Sequence, residues 1–315
     1  MKTAFLFPGQ GSQYPGMGKE LAGASPAARR VFELADQVLC FPLSKICFEG
    51  PATELQLTTN TQPAILTVSV AVAEVLREKG IRADYVAGHS LGEYSALVAA
   101  GSLRLEDAVR LVRKRGEYMQ EAVPVGEGAM AALLGLDVEV VQQICREAEQ
   151  GEVVSPANLN SPGQIVIAGN KSAVERAVEL AKGRGAKRAI LLNVSAPFHC
   201  ELMKPAADRL AADLDAVEFD EPKVPLVNNV DGRIVKDATS VRDGLKRQVT
   251  APVRWEESMR LLRSEGVEIF VEVGPGKVLS GLLRQIDRQA ELMGAEDSAS
   301  VNNAAARLGV TPASN

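Results

Sequence analysis

Along the first 125 residues, short apolar runs alternate with longer stretches in which apolar positions recur every three or four residues. Residues 3–7 form a continuous apolar run of strand length that empties into a glycine-rich loop, Pro8-Gly9-Gln10-Gly11-Ser12-Gln13. Residues 61–79 carry helical spacing, and Gly80 follows as a stop. Residues 85–87 read as a second strand, 88–92 as a turn, 94–100 as a helix closed by Gly101, and 105–123 as an amphipathic helix. Strands alternating with helices predict an α/β fold, with a parallel sheet covered on both faces.

The next stretch changes rhythm. Residues 129–134 read as a strand and 138–149 as a helix. Residues 153–157 and 164–168 follow as strands joined through Asn160-Ser161-Pro162-Gly163, then 172–183 as a helix and 189–193 as a strand. The order β-α-β-β-α-β is that of a ferredoxin-like unit. Residues 127–196 are therefore expected to form a small inserted subdomain, with 1–126 and 197–315 forming the large one. After Pro197 the longer alternation resumes. A helix starts at Glu201, a strand spans 226–228, helices lie near Val241 and Glu256, a strand spans 268–271, and a helix spans 278–289. The tail from Gly294 is rich in Ala, Ser and Asn without periodicity, and is expected to be frayed.

Composition narrows the function classes. The chain has 315 residues, near the size at which a single core stops growing, which suits a large unit with a smaller insert. No apolar run reaches the ~18 residues of a membrane span, and the apolar start ending at Pro8 is too short for a secretory signal. A cytoplasmic protein is expected. Cys40, Cys47, Cys145 and Cys200 show no C-x-x-C spacing, so neither a disulfide framework nor a metal site is expected. A net charge of −5 without a basic run argues against nucleic acid as a partner. Only two histidines are present, His89 and His199.

Gly88-His89-Ser90-Leu91-Gly92 matches G-x-S-x-G. In a chain of this length the pattern arises by accident roughly one time in ten at average usages, so its setting decides. Here a strand precedes it and a helix follows, and the glycines allow a sharp turn that presents the serine at its tip. The N–H of Leu91, at the helix start, then faces an oxyanion forming on a bound carbonyl. A serine hydroxyl needs a base. His89 is its chain neighbour, and side chains diverge on a tight turn. His199 lies in a loop after the last strand of the insert, where an α/β enzyme keeps its chemistry. A lone histidine is more often structural, but the need for a base favours His199. Gly9-Gln10-Gly11 is not a dinucleotide loop, because Tyr14 stands where the third glycine belongs.

Arg115 is the remaining anomaly. Ala108, Val112, Arg115 and Met119 share one helical face, which places a guanidinium in an apolar stripe. An internal ion pair or a snorkelling side chain is the plainer account. The sharper one is a pocket that awaits a carboxylate, gripped by two parallel hydrogen bonds. Arg113 and Lys114 point elsewhere and are expected to be solvated.

Phe7-Pro8-Gly9-Gln10-Gly11-Ser12-Gln13, Thr61-Gln62-Pro63-Ala64, Gly88-His89-Ser90-Leu91-Gly92-Glu93-Tyr94, Phe198-His199 and Gln248 stand in the order and spacing of malonyl-CoA:acyl carrier protein transacylases. The chain resembles that family over about residues 1–290, the loop 158–164 included. The resemblance implies an α/β-hydrolase-like large subdomain and a ferredoxin-like small one. It implies Ser90 as nucleophile, His199 as general base and acid, and Gln248 orienting the histidine through its backbone carbonyl. An Asp or Glu in that last role stays open. It further implies an oxyanion hole from the N–H groups of Gln10 and Leu91, and Arg115 as the malonyl clamp. Phe198, Gln62 and Asn160 would contact substrate, the Phe198 ring disfavouring an α-methyl group.

The expected reaction is ping-pong transfer of malonyl from malonyl-CoA to the phosphopantetheine thiol of acyl carrier protein through a Ser90 ester. No cofactor or metal is expected, and a monomer is the default. Lys182, Arg184, Lys187 and Arg188, or Arg284 and Arg288, are candidate basic contacts for an acidic carrier protein. A serine hydrolase or thioesterase is the nearest rival. An idle domain of a larger synthase is the more distant one, disfavoured because both candidate reactive residues are present and the chain starts at Met1.

Overall fold

A computed structural model describes residues 1–309 of the chain. From the N-terminus, strand β1 (Lys2–Phe7) leads into helices α1 (Lys19–Ala24), α2 (Pro26–Leu39), α3 (Leu43–Glu49), α4 (Ala52–Gln56) and α5 (Thr58–Glu78). β2 (Tyr85–Gly88), α6 (Gly92–Ala99) and α7 (Leu105–Glu121) complete the first part. The second part is β3 (Gly128–Leu134), α8 (Val138–Glu149), β4 (Val154–Ser161), β5 (Gln164–Asn170), α9 (Lys171–Gly183) and β6 (Arg188–Leu191). The chain then continues through α10 (Lys204–Asp215), β7 (Leu226–Val227), β8 (Ile234–Val235), α11 (Ala238–Gln248) and α12 (Trp255–Ser264). β9 (Val267–Val273), α13 (Val278–Ile286), β10 (Glu291–Ala295) and α14 (Ser298–Arg307) close it.

Two sheets result. The larger has the order β10-β9-β1-β2-β7-β8, parallel except for the edge pair β7–β8. Five of the six residues of β1 are buried, as expected of a parallel strand with helices on both faces. From β1 the chain steps outward through β2 and β7 on one side and through β9 and β10 on the other. The carboxyl ends of strands around such a reversal form the crevice where open α/β sheets bind ligands. The smaller sheet, β4-β5-β3-β6, is antiparallel throughout, with α8 and α9 packed on its core, and has ferredoxin-like topology. A two-residue turn, Pro162-Gly163 with Gly163 at φ +68°, joins β4 to β5, tighter than the four-residue turn the sequence suggests. The sheets are tied together where Val253 bonds across to β4: Leu159 N–H donates to Val253 at 2.9 Å, and Val253 N–H to Ala157 at 2.9 Å.

The tail departs from expectation. Residues 291–295 pair parallel with β9, and α14 begins in a capping box between Asp297 and Ser300. Its buried face is built from Val301, Ala304 and Ala305. Side chains that small carry a weak periodic signal, and β10 draws its order from a partner strand rather than from its own composition. Residues 310–315 of the predicted frayed tail lie outside the described residues. α5 is longer than its periodicity indicates, starting at Thr58 and running through Pro63. The carbonyl of Thr59, which Pro63 cannot bond, accepts from Arg113 Nη1 at 3.0 Å. Arg113 also bonds Asn60 and Glu117, so it braces α5 rather than standing in solvent. Among the described residues no helix is long and apolar enough to cross a membrane.

Candidate active site

Ser90 occupies the corner between β2 and α6 at φ +52°, a left-handed conformation that costs a non-glycine residue about 1–3 kcal/mol. The glycines around it are required by contact. A Cβ on Gly88 would lie 1.9 Å from the Gly92 carbonyl carbon, and one on Gly92 would lie 2.0 Å from Phe7 O. With β1 and β2 in register at Phe7 and Gly88, the loop carrying Gln10 and the corner carrying Ser90 leave adjacent strand ends.

His199 adopts φ +61° in the loop after β6 and is 3% exposed. Its Nε2 lies 2.7 Å from Ser90 Oγ, and its Nδ1 lies 2.8 Å from the Gln248 backbone carbonyl. A carbonyl only accepts, so the proton sits on Nδ1 and Nε2 is left as the acceptor facing the hydroxyl. The position the sequence left open to an Asp or Glu is thus taken by a peptide oxygen at the end of α11. Burial, followed by the nearby Arg115 charge, lowers the imidazole from its usual range to about 3. His199 is therefore neutral at physiological pH. His89 is turned away: its Nε2 meets Asn160 Oδ1 at 2.8 Å, and its ring packs against Trp255 with centroids 5.4 Å apart.

Arg115 is 2% exposed on α7. Nη1 donates to Gln62 Oε1 at 2.8 Å, and Nη2 donates to Ser90 Oγ and to Gln248 Oε1, both at 3.0 Å. Its Nε is buried without an acceptor, and no carboxylate lies within ion-pair distance of the guanidinium among the described residues. That arrangement is unusual for a buried cation.

A cavity of about 140 Å³ opens over these groups, lined by Gln10, Gln62, Ser90, Leu91, Arg115, Asn158, Phe198 and His199 among others. The N–H groups of Gln10 and Leu91 find no acceptor among the described residues, so both remain available. The Gln10 side chain donates to Thr58 Oγ1 at 3.2 Å, which in turn meets Ser195 Oγ at 3.0 Å and ties that loop to the His199 loop. Seven expected site residues are thus brought together around one hydroxyl, with Gln248 behind them. Asn160 is the exception. Its side-chain oxygen is engaged by His89, and Asn158, two residues earlier on β4, lines the cavity instead. Gln62 reaches the cavity but spends its oxygen on Arg115.

A second layer, which no local motif marks, lies beneath the serine. Asn229 accepts from Ser90 N–H at 2.6 Å and donates from Nδ2 to Gly88 O at 2.6 Å, clamping the strained corner from below. Glu93, 1% exposed, accepts from Asn229 N–H at 3.0 Å and from Gln248 Nε2 at 2.9 Å. Burial raises its carboxyl to about 7 against the lowering by those hydrogen bonds and by Arg115. A carboxylate inside the apolar run of α6, one turn past the nucleophile, is the signal that was available for it.

A strained serine, a neutral imidazole in bond with it, and unengaged N–H donors beside it make an arrangement suited to chemistry through a serine ester. Comparison with known proteins narrows the class. Residues 4–305 match the family model described as acyl transferase domain. Malonyl CoA-acyl carrier protein transacylase of Bacillus subtilis is 55% identical over 94% of this chain and 94% of its own. The Escherichia coli K12 enzyme of the same name is 53% identical over 90% and 92%. The Coxiella burnetii transacylase structure superposes with a TM-score of 0.96 at 46% identity, covering 98% of each chain. A malonyl-transacylase solved in complex with its type II PKS acyl-carrier protein superposes with a TM-score of 0.95 at 49% identity, over 98% of this chain and 100% of that one. The chain belongs to the acyl transferase family, among the malonyl CoA-acyl carrier protein transacylases. The match extends past residue 290 into the tail, which takes part in the family fold after all.

Proposed function

We infer that this protein transfers a malonyl group from malonyl-CoA to the thiol of an acyl carrier protein, by way of an ester on Ser90. The 2.7 Å contact between Ser90 Oγ and the neutral Nε2 of His199 carries this reading. Ser90 Oγ attacks the thioester carbonyl while its proton passes to Nε2. The carbonyl oxygen, now negative, takes the N–H groups of Gln10 and Leu91. Collapse expels the CoA sulfur, which takes the proton from His199. The carrier thiol then gives its proton to Nε2 and attacks the ester, and the proton returns to Ser90 Oγ as the thioester leaves. Every group the cycle uses comes from one chain, so a monomer suffices and no cofactor is called on.

Arg115 supports malonyl as the acyl group. A buried guanidinium with an unengaged Nε is suited to the one feature that separates malonyl from acetyl, its distal carboxylate. The carrier-protein contact is less well served by the first basic cluster, since Lys182 pairs with Glu179 and Arg184 with Glu147. Mixing the protein with malonyl-CoA and measuring intact mass tests the reading. A malonyl adduct that maps to Ser90 and persists until carrier protein is added is expected. Release of free malonate at the same rate without carrier protein would make the enzyme a thioesterase.

Phe198 lines the cavity beside His199. Phe198→Ser is expected to raise acylation by methylmalonyl-CoA about tenfold, within the range that one methylene commands in a pocket. An unchanged methylmalonyl rate would assign the ring to core packing alone.

A further inference from the structure

Beneath Ser90 lies a carboxyl group that no step of the transfer consumes. Glu93 Oε2 accepts two hydrogen bonds, from Asn229 N–H and from the Gln248 side-chain amide. In both bonds Oε2 is the acceptor, so it dictates which end of that amide turns toward it. The NH2 end faces Glu93 and also donates to Ser90 O at 3.0 Å, which leaves the carbonyl end for Arg115 Nη2 at 3.0 Å. With the amide reversed, an NH2 would confront a guanidinium in a buried space, two donors without an acceptor.

The consequence reaches the substrate pocket. Arg115 is held by two amide oxygens, Gln62 Oε1 on Nη1 and Gln248 Oε1 on Nη2, and these define where its planar fork points. Among the described residues Gln62 is itself anchored only by a long contact from Nε2 to Met119 Sδ at 3.9 Å. Gln248 is anchored by two bonds from Nε2, to Glu93 Oε2 at 2.9 Å and to Ser90 O at 3.0 Å, which makes it the firmer of the two supports. We propose that Glu93 is a positioning residue for malonyl selection: by fixing the Gln248 amide it aims Arg115 at the place the malonyl carboxylate occupies. The inference rests on the malonyl-transfer reading above and deepens it.

The test is the ratio of Ser90 acylation rate constants for malonyl-CoA and acetyl-CoA, measured by quenched-flow mass spectrometry. Wild type, Glu93→Ala, Glu93→Gln and Gln248→Met are compared. Glu93→Ala and Gln248→Met each cut the link, and the malonyl-to-acetyl ratio should fall about tenfold in both. Glu93→Gln should restore most of it, because its amide oxygen can take the place of Oε2 and accept the same two N–H groups. Glu93 acting only as a structural prop would depress both rates together and leave the ratio alone. A Gln248→Met ratio within twofold of wild type overturns the proposal, as does Glu93→Gln behaving like Glu93→Ala. Should Glu93→Ala fail to fold, Glu93→Met, which fills the space without offering an oxygen to the Gln248 amide, takes its place and is read the same way. A wild type that forms no malonyl ester sinks the transfer reading. A wild type that forms one, with a ratio none of these variants moves, sinks only the role of Glu93.

Discussion

Replacement of His199 by alanine is expected to slow malonylation of Ser90 by about 10²–10⁴-fold, the range that a positioned general base contributes. Among the described residues the imidazole is the sole side chain whose nitrogen bonds Ser90 Oγ as an acceptor, since the other polar partner, Arg115 Nη2, can only donate. Without it the attacking hydroxyl keeps its proton. The pH dependence of wild type separates this role from a structural one. His199 acts as base in its neutral form, and its pKa is lowered to about 3 from the usual 6.5. A lowered pKa keeps the base neutral further into acid, so kcat/KM should hold its plateau below pH 6.5 and decline only as pH approaches the depressed value. An acid limb centred at 6.5 would mean that the imidazole titrating in the rate is not this buried one. The same shift bears on stability. The unfolded chain binds the proton at 6.5 and the folded chain at about 3, so His199 stabilises the fold fully above pH 6.5 and progressively less as pH falls through that window.

The reach of the sequence ended where side chains stop being local. Ser90 was legible because its corner is written in five consecutive residues, and the glycine contacts at 88 and 92 show why no other residue type fits. Arg115 was legible because three apolar neighbours share its helical face, all of them buried. His199 was reached by elimination from a pool of two. Glu93 and Asn229 were not reached, because their meaning lies in each other and in the Gln248 amide, which sits 155 positions beyond Glu93. Asn160 shows the opposite error: a residue near the site in sequence and in space whose oxygen the structure gives to His89. The fold divides in the same way. Strands and helices with strong period stood out, whereas β10 and α14 are held by β9 and by small apolar contacts that no window of their own sequence displays.

Arg115 can be removed with a result that discriminates between two substrates. Arg115→Ala is expected to lower kcat/KM for malonyl-CoA by about one to two decades, the equivalent of roughly 1.5–3 kcal/mol for a charge-assisted hydrogen bond. Acetyl-CoA offers no carboxylate to the guanidinium, so its acylation should change by no more than about threefold. Two lesser effects act on acetyl and oppose each other. The loss of the bond from Nη2 to Ser90 Oγ removes a donor that favours the developing alkoxide. The loss of the positive charge relieves part of the depression of His199, which makes the imidazole a stronger base. The second effect has its own signature: the acid limb for acetyl-CoA should move to higher pH in the variant than in wild type. It also implies that malonyl, by neutralising Arg115 on binding, raises the basicity of His199 when an acyl group is in place to be attacked. Arg115→Lys keeps the charge but not the planar fork, so it should fall between wild type and alanine for malonyl. Equal losses for malonyl and acetyl would remove Arg115 from selection and leave it as a buried brace between Gln62 and Gln248.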